Sequence, residues 1–178
     1  MTIRPIHLLG SPVLRQRAED VEEIDDGVKE LLQDLLETTY ADDGLGLAAN
    51  QIGVARQVAV VIHANEPPLF LINPVIVEKE GKVRDEEGCL SVPEIFASVE
   101  RPERVVVETT TLEGKRERVE AEEIKARAIM HEIDHLNGVI FIDHLSPLKR
   151  RMLLTKWKKL RKGQEGYLKY LTLPDSKD

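Results

Sequence analysis

The sequence is poor in cysteine and has no long apolar run. Its single cysteine, Cys89, cannot form a disulfide within the chain, so a reducing compartment fits. No apolar stretch approaches the roughly 20 residues that a membrane-spanning helix needs. The amino-terminal residues also lack the apolar core of a signal peptide. We therefore expect a cytoplasmic protein without a membrane partner.

Positive charge is also in deficit. The formal net charge of −7 gives no electrostatic support for sequence-independent nucleic-acid binding, and we expect no DNA partner. The exception is LKRRMLLTKWKKLRKG at 148–163, a basic segment in an otherwise acidic chain. Such a segment is compatible with a solvated helix face and with docking on ribosomal RNA.

Three segments have the signals of helices. Acidic residues at Asp25-Asp26 precede apolar residues at helical spacing, which predicts a helix ending near Gly44. A second helix is predicted over 122–136. The third opens at Ser146-Pro147, a cap followed by proline at the first helical position, and ends at Gly163.

Between the first two helices the pattern changes to strands. Segments rich in Val, Ile and Thr lie at 57–63, 68–80 and 104–114, and KRERVEA at 115–121 is expected to pair back as a hairpin. Strands grouped between helices predict an α+β fold. The length predicts one domain over 1–178, with 164–178 as an extended carboxyl-terminal tail.

The stretch HEIDHLNGVIF at 131–141 indicates a metal site. Residues four apart lie one turn apart on the same helix face, so His131 and His135 can bind one ion. Glu132 is offset by about 100° and can reach the open coordination position without being a ligand. Phe141 stands where one large group of zinc peptidases has its third histidine, and it cannot coordinate a metal.

The third ligand must therefore come from elsewhere, since a catalytic site of this kind has three protein ligands and one open position. His144 lies in an irregular segment, and nothing in its spacing favours it. Cys89, in EGCLS at 87–91, is the better candidate because a thiolate is a strong ligand and Gly88 allows close approach. A lone cysteine is also commonly a small buried apolar residue.

Three segments together resemble the peptide deformylases. They are GLGLAANQ at 44–51, EGCLS at 87–91 and HEIDH at 131–135, in the order and at separations similar to those of the family. SPVLRQRAEDV near the amino terminus and VIFIDHLSP near the third helix extend the likeness over most of the chain. Met130 departs from the polar residue that many members have there.

The resemblance implies antiparallel or mixed sheets packed around a central metal-binding helix, with an amino-terminal and a carboxyl-terminal helix. It implies Cys89, His131 and His135 as metal ligands, with Fe²⁺ as the working metal and Zn²⁺, Ni²⁺ or Co²⁺ as substitutes. The implied reaction removes the formyl group from the N-terminal formyl-methionine of newly made polypeptides. Metal-activated water attacks with Glu132 as base, while the metal, the Gln51 amide and the Leu90 N–H hold the oxyanion.

Substrate binding is expected on both sides of this centre. Gly44 and Gly46 would let the loop backbone lie along an extended peptide. An apolar pocket for methionine is predicted from Leu45, Ile124 and Ala128, each of which could equally be core. Glu87 and Gly88 are also expected to contribute to substrate binding, next to these residues. Glu87 is expected to orient its loop by pairing with Arg101 or Arg127, and Asp134 to accept a hydrogen bond near the ligands.

Two other functions remain open from the residues alone. A general metallopeptidase would also use HEIDH but would cleave unformylated peptides internally. A metal-stabilised binding module, ribosome-associated or not, would have no use for Glu132, and structural zinc sites are closed by four ligands.

Overall fold

A computed structural model describes residues 2–172. The helices are α1 (Asp26–Ala41), α2 (Glu123–Leu136) and α3 (Pro147–Leu160). The strands are β1 (Ile6–His7), β2 (Gly46–Ala48), β3 (Val58–Val61), β4 (Leu69–Ile72), β5 (Val75–Glu80), β6 (Val83–Cys89), β7 (Val92–Arg101), β8 (Arg104–Thr110), β9 (Arg116–Glu122) and β10 (Leu168–Lys169). No helix of residues 2–172 has the length and apolarity to cross a membrane.

The strands form small antiparallel sheets, which confirms the α+β prediction. Their orders are β2-β3-β4, β5-β8-β9, β6-β7 and β1-β10. The predicted hairpin forms between β8 and β9, and Asn73-Pro74 divides the segment predicted at 68–80 into β4 and β5. Antiparallel or mixed sheets were expected, and the sheets of residues 2–172 are antiparallel.

Helix α1 covers one face of the β2-β3-β4 sheet. The side chain of Asp25 caps it by accepting a hydrogen bond from the Val28 N–H at 2.9 Å. Leu32 and Leu35 are buried against Val60 of the sheet. Burying each leucine stabilises the fold by about 1.5–3 kcal/mol, so this packing holds the segment that follows α1 in place.

Helix α2 lies at the centre of the molecule. Ile129 and Leu136 pack in one cluster with Leu71 of β4 and with Val105 and Val107 of β8. Almost every residue of the helix from Ala126 onward is buried, including both histidines of the HEIDH motif. The histidines are therefore fixed by core packing on a rigid helix.

Three features differ from the prediction. GLGLAANQ was expected to be a loop, but β2 and a 3-10 turn at Ala49–Ile52 occupy it. The hairpin of β6 and β7 was not predicted, because VRDEEGC has apolar residues only at its ends and shows no alternation. Helix α3 has the expected Ser146 cap. It ends at Leu160, where a turn begins, rather than at Gly163 as predicted.

The carboxyl-terminal residues return to the start of the chain. Trp157 of α3 is buried, and its Nε1 donates a hydrogen bond to the Leu9 carbonyl at 3.1 Å. Beyond α3, β10 pairs with β1. Within the predicted tail at 164–178, residues 164–172 thus include a strand, whereas 173–178 lie outside the described residues.

Candidate metal centre

Three candidate ligand atoms from two motifs converge beside α2. The Sγ atom of Cys89 lies 3.2 Å from Nε2 of His135, which in turn lies 3.2 Å from Nε2 of His131. All three atoms lie within 4.8 Å of one another. Cys89 ends β6 where the pairing register shifts between Gly88 and Cys89, and such a bulge re-aims a side chain.

These donors fit a transition metal. Ligand atoms around a tetrahedral ion with bonds of 2.0–2.3 Å are separated by roughly 3.4–3.7 Å, close to the two separations of 3.2 Å here. One thiolate with two imidazoles suits soft and borderline metals rather than Ca²⁺ or Mg²⁺. The Nδ1 atom of His131 faces Oε1 of Glu87 at 3.9 Å, while Nδ1 of His135 has no hydrogen-bond partner within residues 2–172.

Glu132 lies next to the cluster with a free acceptor. Its side chain is 4% exposed, and its Oε2 atom has no hydrogen-bond partner within residues 2–172. Burial raises the pKa of Glu132 to about 7, although the positive charges of His131 and Arg101 act to lower this pKa. A carboxyl group that titrates near neutrality is suited to both accepting and returning a proton.

The backbone of β2 passes close to this carboxylate. A Cβ atom added at Gly46 would lie 2.9 Å from Oε1 of Glu132 and 2.8 Å from the Val60 carbonyl oxygen. Only glycine therefore fits there without moving either group.

Gln51 presents its amide nitrogen to the same centre. Its Oε1 atom accepts a hydrogen bond from the Ala48 N–H at 3.0 Å, which fixes the amide orientation. Its Nε2 atom donates to Oγ of Ser91 at 3.0 Å and lies 3.7 Å from Sγ of Cys89. Leu90, the other predicted donor, follows Cys89 in the turn between β6 and β7.

Arg101 joins the two motifs electrostatically. Its guanidinium donates to both carboxylate oxygens of Glu87, at 2.8 and 3.1 Å, and to Oδ2 of Asp134 at 2.8 Å. Burial alone would raise the pKa of Glu87, but the nearby His131 imidazole and the hydrogen bonds and charge of Arg101 lower it to about 2. Arg127 lies 3.7 Å from Glu87. The sequence did not indicate that one arginine would bind both acids.

The two residues rejected as third ligands have other surroundings. Phe141 is buried, and its ring stacks on that of His131 with centroids 6.1 Å apart. The Nε2 atom of His144 lies 2.7 Å from Oδ2 of Asp134. Neither residue belongs to the cluster of Cys89, His131 and His135.

A cleft of about 490 Å³ opens above the cluster. All the predicted catalytic and substrate residues line it: Gly44, Leu45, Gly46, Gln51, Glu87, Gly88, Leu90, Ile124, Ala128 and Glu132. Leu45 and Ile124 are 57% and 55% exposed, so these two are cleft residues rather than core.

Sequence reasoning missed the part of the cleft that β7 contributes. Ile95 and Phe96 line it, and the Phe96 ring lies over Gly88, where an added Cβ would be 2.6 Å from the ring. The available signal was VPEIFASV at 92–99, in which apolar residues recur along the segment, but Pro93 weakens it as a strand.

Comparisons with known proteins agree on one family. The model of the polypeptide deformylase family matches residues 3–151. The chain is 45% identical over 169 residues to a peptide deformylase of Agrobacterium fabrum, which covers 92% of this chain and 99% of that one. It is 50% identical over 143 residues to the peptide deformylase of Thermoanaerobacter pseudethanolicus. That alignment covers 80% of this chain and 89% of the other.

Solved structures agree with these matches. The crystal structure of a peptide deformylase from Legionella pneumophila superimposes with a TM-score of 0.86 at 39% identity, over 92% of this chain and 98% of that one. The chain therefore belongs to the polypeptide deformylase family.

Proposed function

We propose that this protein hydrolyses the formyl amide of N-terminal formyl-methionine on newly made polypeptides. The family supports this reaction, and one observation in the site carries it. Three metal-ligating atoms lie beside a buried, unpartnered carboxylate, that of Glu132, at a cleft that opens to solvent. Metal-dependent hydrolysis of an unactivated amide uses this combination of a metal position and a proton acceptor.

Cys89, His131 and His135 are the proposed ligands, and Fe²⁺ is the proposed working metal. Zn²⁺, Ni²⁺ and Co²⁺ are acceptable substitutes for one thiolate and two imidazoles. When bound, the metal acts as a Lewis acid that acidifies water and polarises the formyl oxygen. The thiolate ligand of a ferrous site is open to oxidation, so activity should be lost in air.

The side chains around the metal position have distinct roles in this proposal. Glu132 accepts the proton of the attacking water at its free Oε2 atom and returns it to the leaving amine. The Gln51 Nε2 group and the Leu90 N–H donate hydrogen bonds to the oxyanion. Each such donor typically lowers the barrier by about 3 kcal/mol. Ala48, by bonding the Gln51 oxygen, keeps the nitrogen facing the site.

The peptide is proposed to bind as an additional strand along β2. This strand is at the edge of its sheet, with β3 on one side. Extended peptides add to such edges through main-chain hydrogen bonds. Leu45, Ile124 and Ala128 would then enclose the methionine side chain. Cytoplasm is the proposed compartment, because nascent chains begin there and a lone thiol stays reduced.

The direct test is release of formate and a free amine from an N-formylmethionyl tripeptide. The protein is prepared without oxygen, stripped of metal and then supplied with Fe²⁺. Formate released only by the metal-loaded protein supports the proposal. Internal cleavage of unformylated peptides would instead identify the metallopeptidase alternative, and neither product would favour the binding module.

Substituting Gly46 by Ala is expected to lower turnover by at least about tenfold, because the added methyl displaces the Glu132 carboxylate or the β2 backbone. Gly44→Ala is the comparison, since its added Cβ meets the flexible Leu90 side chain at 2.7 Å. A smaller loss in Gly44→Ala, with metal content equal in both, is the expected pattern. Equal activities in the two variants would contradict the proposed contact.

The basic helix α3 is a proposed ribosome contact. Leu148 and Met152 are exposed among its lysines and arginines. Reversing charge at Lys158 and Lys159 to Glu should weaken co-sedimentation with ribosomes, and raising the salt concentration should weaken it in the unaltered protein. Turnover of a free tripeptide should be unchanged. Co-sedimentation that does not depend on these charges would identify α3 as a solvated face.

A further inference from the structure

Ser91 is a buried serine that takes no part in the metal binding or the proton transfers proposed for the site. It lies in the turn between β6 and β7, two residues after Cys89, and no part of it is exposed to solvent. Its Oγ atom accepts a hydrogen bond from Nε2 of Gln51 at 3.0 Å, across 40 residues of chain. Buried polar contacts are costly to leave unmade, so this bond restrains both side chains.

The side-chain amide of Gln51 is held at both of its polar atoms. Its Oε1 atom accepts the Ala48 N–H at 3.0 Å, so the amide cannot flip without losing that bond. Its Nε2 atom carries two hydrogens, and the bond to Ser91 takes one of them. Nε2 also lies 3.7 Å from Sγ of Cys89. The second hydrogen therefore faces the candidate ligands, where an oxyanion would accept it.

Ser91 is itself anchored to the amino-terminal segment and to helix α3. Its carbonyl oxygen accepts the Leu9 N–H at 2.8 Å. The Leu9 carbonyl accepts Nε1 of Trp157 at 3.1 Å, and both residues belong to one buried cluster with Val92, the residue after Ser91. A hydroxyl on a backbone fixed in this way can set the direction of the amide that is bonded to it.

We propose that Ser91 is a positioning residue, whose hydroxyl holds the Gln51 amide so that one Nε2 hydrogen points at the oxyanion formed during deformylation. This inference rests on the proposed deformylase function and adds a residue to it. A donor stabilises an oxyanion best when it is aimed in advance, and loss of a whole donor lowers kcat by about 10²–10³-fold. Loss of the support alone leaves the donor present but less well aimed, which should cost on the order of tenfold.

The test measures formate release from an N-formylmethionyl tripeptide by the Fe²⁺-loaded protein and by its Ser91→Ala variant. We expect kcat to fall on the order of tenfold with KM little changed, because the bound substrate carries no oxyanion. Ser11→Ala is the matched control. It removes another buried serine hydroxyl, which lies 2.7 Å from Nδ1 of His7 and outside the cleft, and it should keep the kcat of the unaltered protein.

A double-mutant cycle separates an effect through Gln51 from general damage to the site. In the Gln51→Ala protein the amide is already absent, so adding Ser91→Ala should lower kcat no further. An undiminished loss in that background, an unchanged kcat in Ser91→Ala alone, or a rise in KM without a fall in kcat would each overturn the inference. If the unaltered protein releases no formate, the proposed function fails, and the role of Ser91 fails with it.

A measurement that needs no turnover tests the contact itself. In the ¹⁵N-labelled, Zn²⁺-loaded protein, the side-chain amide signals of Gln51 are identified by their absence from Gln51→Ala. We expect these hydrogens to exchange with water slowly in the unaltered protein and in Ser11→Ala, and faster in Ser91→Ala, where one has lost its acceptor. Exchange at the same rate in Ser91→Ala and the unaltered protein would contradict the proposed restraint even if formate is released.

Discussion

Replacing Glu132 by Gln is expected to lower kcat for deformylation by roughly 10²–10⁴-fold while the metal stays bound. The substitution keeps the size of the side chain and removes only its ability to accept a proton. The carboxylate is buried without a hydrogen-bond partner for Oε2 within residues 2–172, so its replacement breaks no described bond to that atom. The loss should therefore appear in kcat and not in stability.

Metal analysis and thermal unfolding complete this experiment. Glu123→Gln, at the exposed start of the same helix, is the matched control and should keep full turnover. If Glu132→Gln retains turnover, the proton acceptor lies elsewhere in the site. If the variant instead loses its metal, Glu132 contributes to metal binding, and the proposed division between ligands and base is wrong.

Replacing Arg101 by Met is expected to destabilise the fold by about 3–5 kcal/mol. Arg101 is 5% exposed and binds Glu87 through both oxygens, as well as Asp134. Methionine leaves the buried Glu87 carboxylate and the half-buried Asp134 carboxylate without this cation, and an uncompensated buried charge is more costly than the loss of the pair as a whole. Urea unfolding of the metal-free protein measures the change.

Two further variants show whether uncompensated charge is the cause. Arg84→Met removes a cation that pairs with Glu100 at 3.5 Å on the surface, and it should change stability little. Adding Glu87→Gln and Asp134→Asn to Arg101→Met should recover part of the lost stability, because neither carboxylate is then left without Arg101. Unfolding at the same urea concentration in Arg101→Met and the unaltered protein would contradict the electrostatic account.

The parts of the site that follow from local spacing could be predicted from the sequence. His131 and His135 share a helix face because they are four residues apart, and the placement of Glu132 follows from the same geometry. Cys89 required a motif, since no local rule brings it within 3.2 Å of a histidine 46 residues later. The resemblance to a family supplied what the spacing did not.

The remaining contacts depend on pairings between distant segments. Because β6 is polar over most of its length, its own residue pattern does not identify it as a strand. It is a strand because it pairs with β7. The same hairpin places Phe96 in the cleft and Arg101 between Glu87 and Asp134. An arginine that binds two acids 47 residues apart leaves no periodic signal in the sequence.

The pairing of β10 with β1 affects when the fold can be completed. Ile6 lies opposite Lys169, about 160 residues later, and Lys169 also holds Asp42 beside the cleft. Closing so long a loop has a large entropic cost, and domains are synthesised from the amino terminus. The first strand therefore gains its partner only after residues 168–169 have been synthesised. One edge of the cleft is fixed only from that point onward.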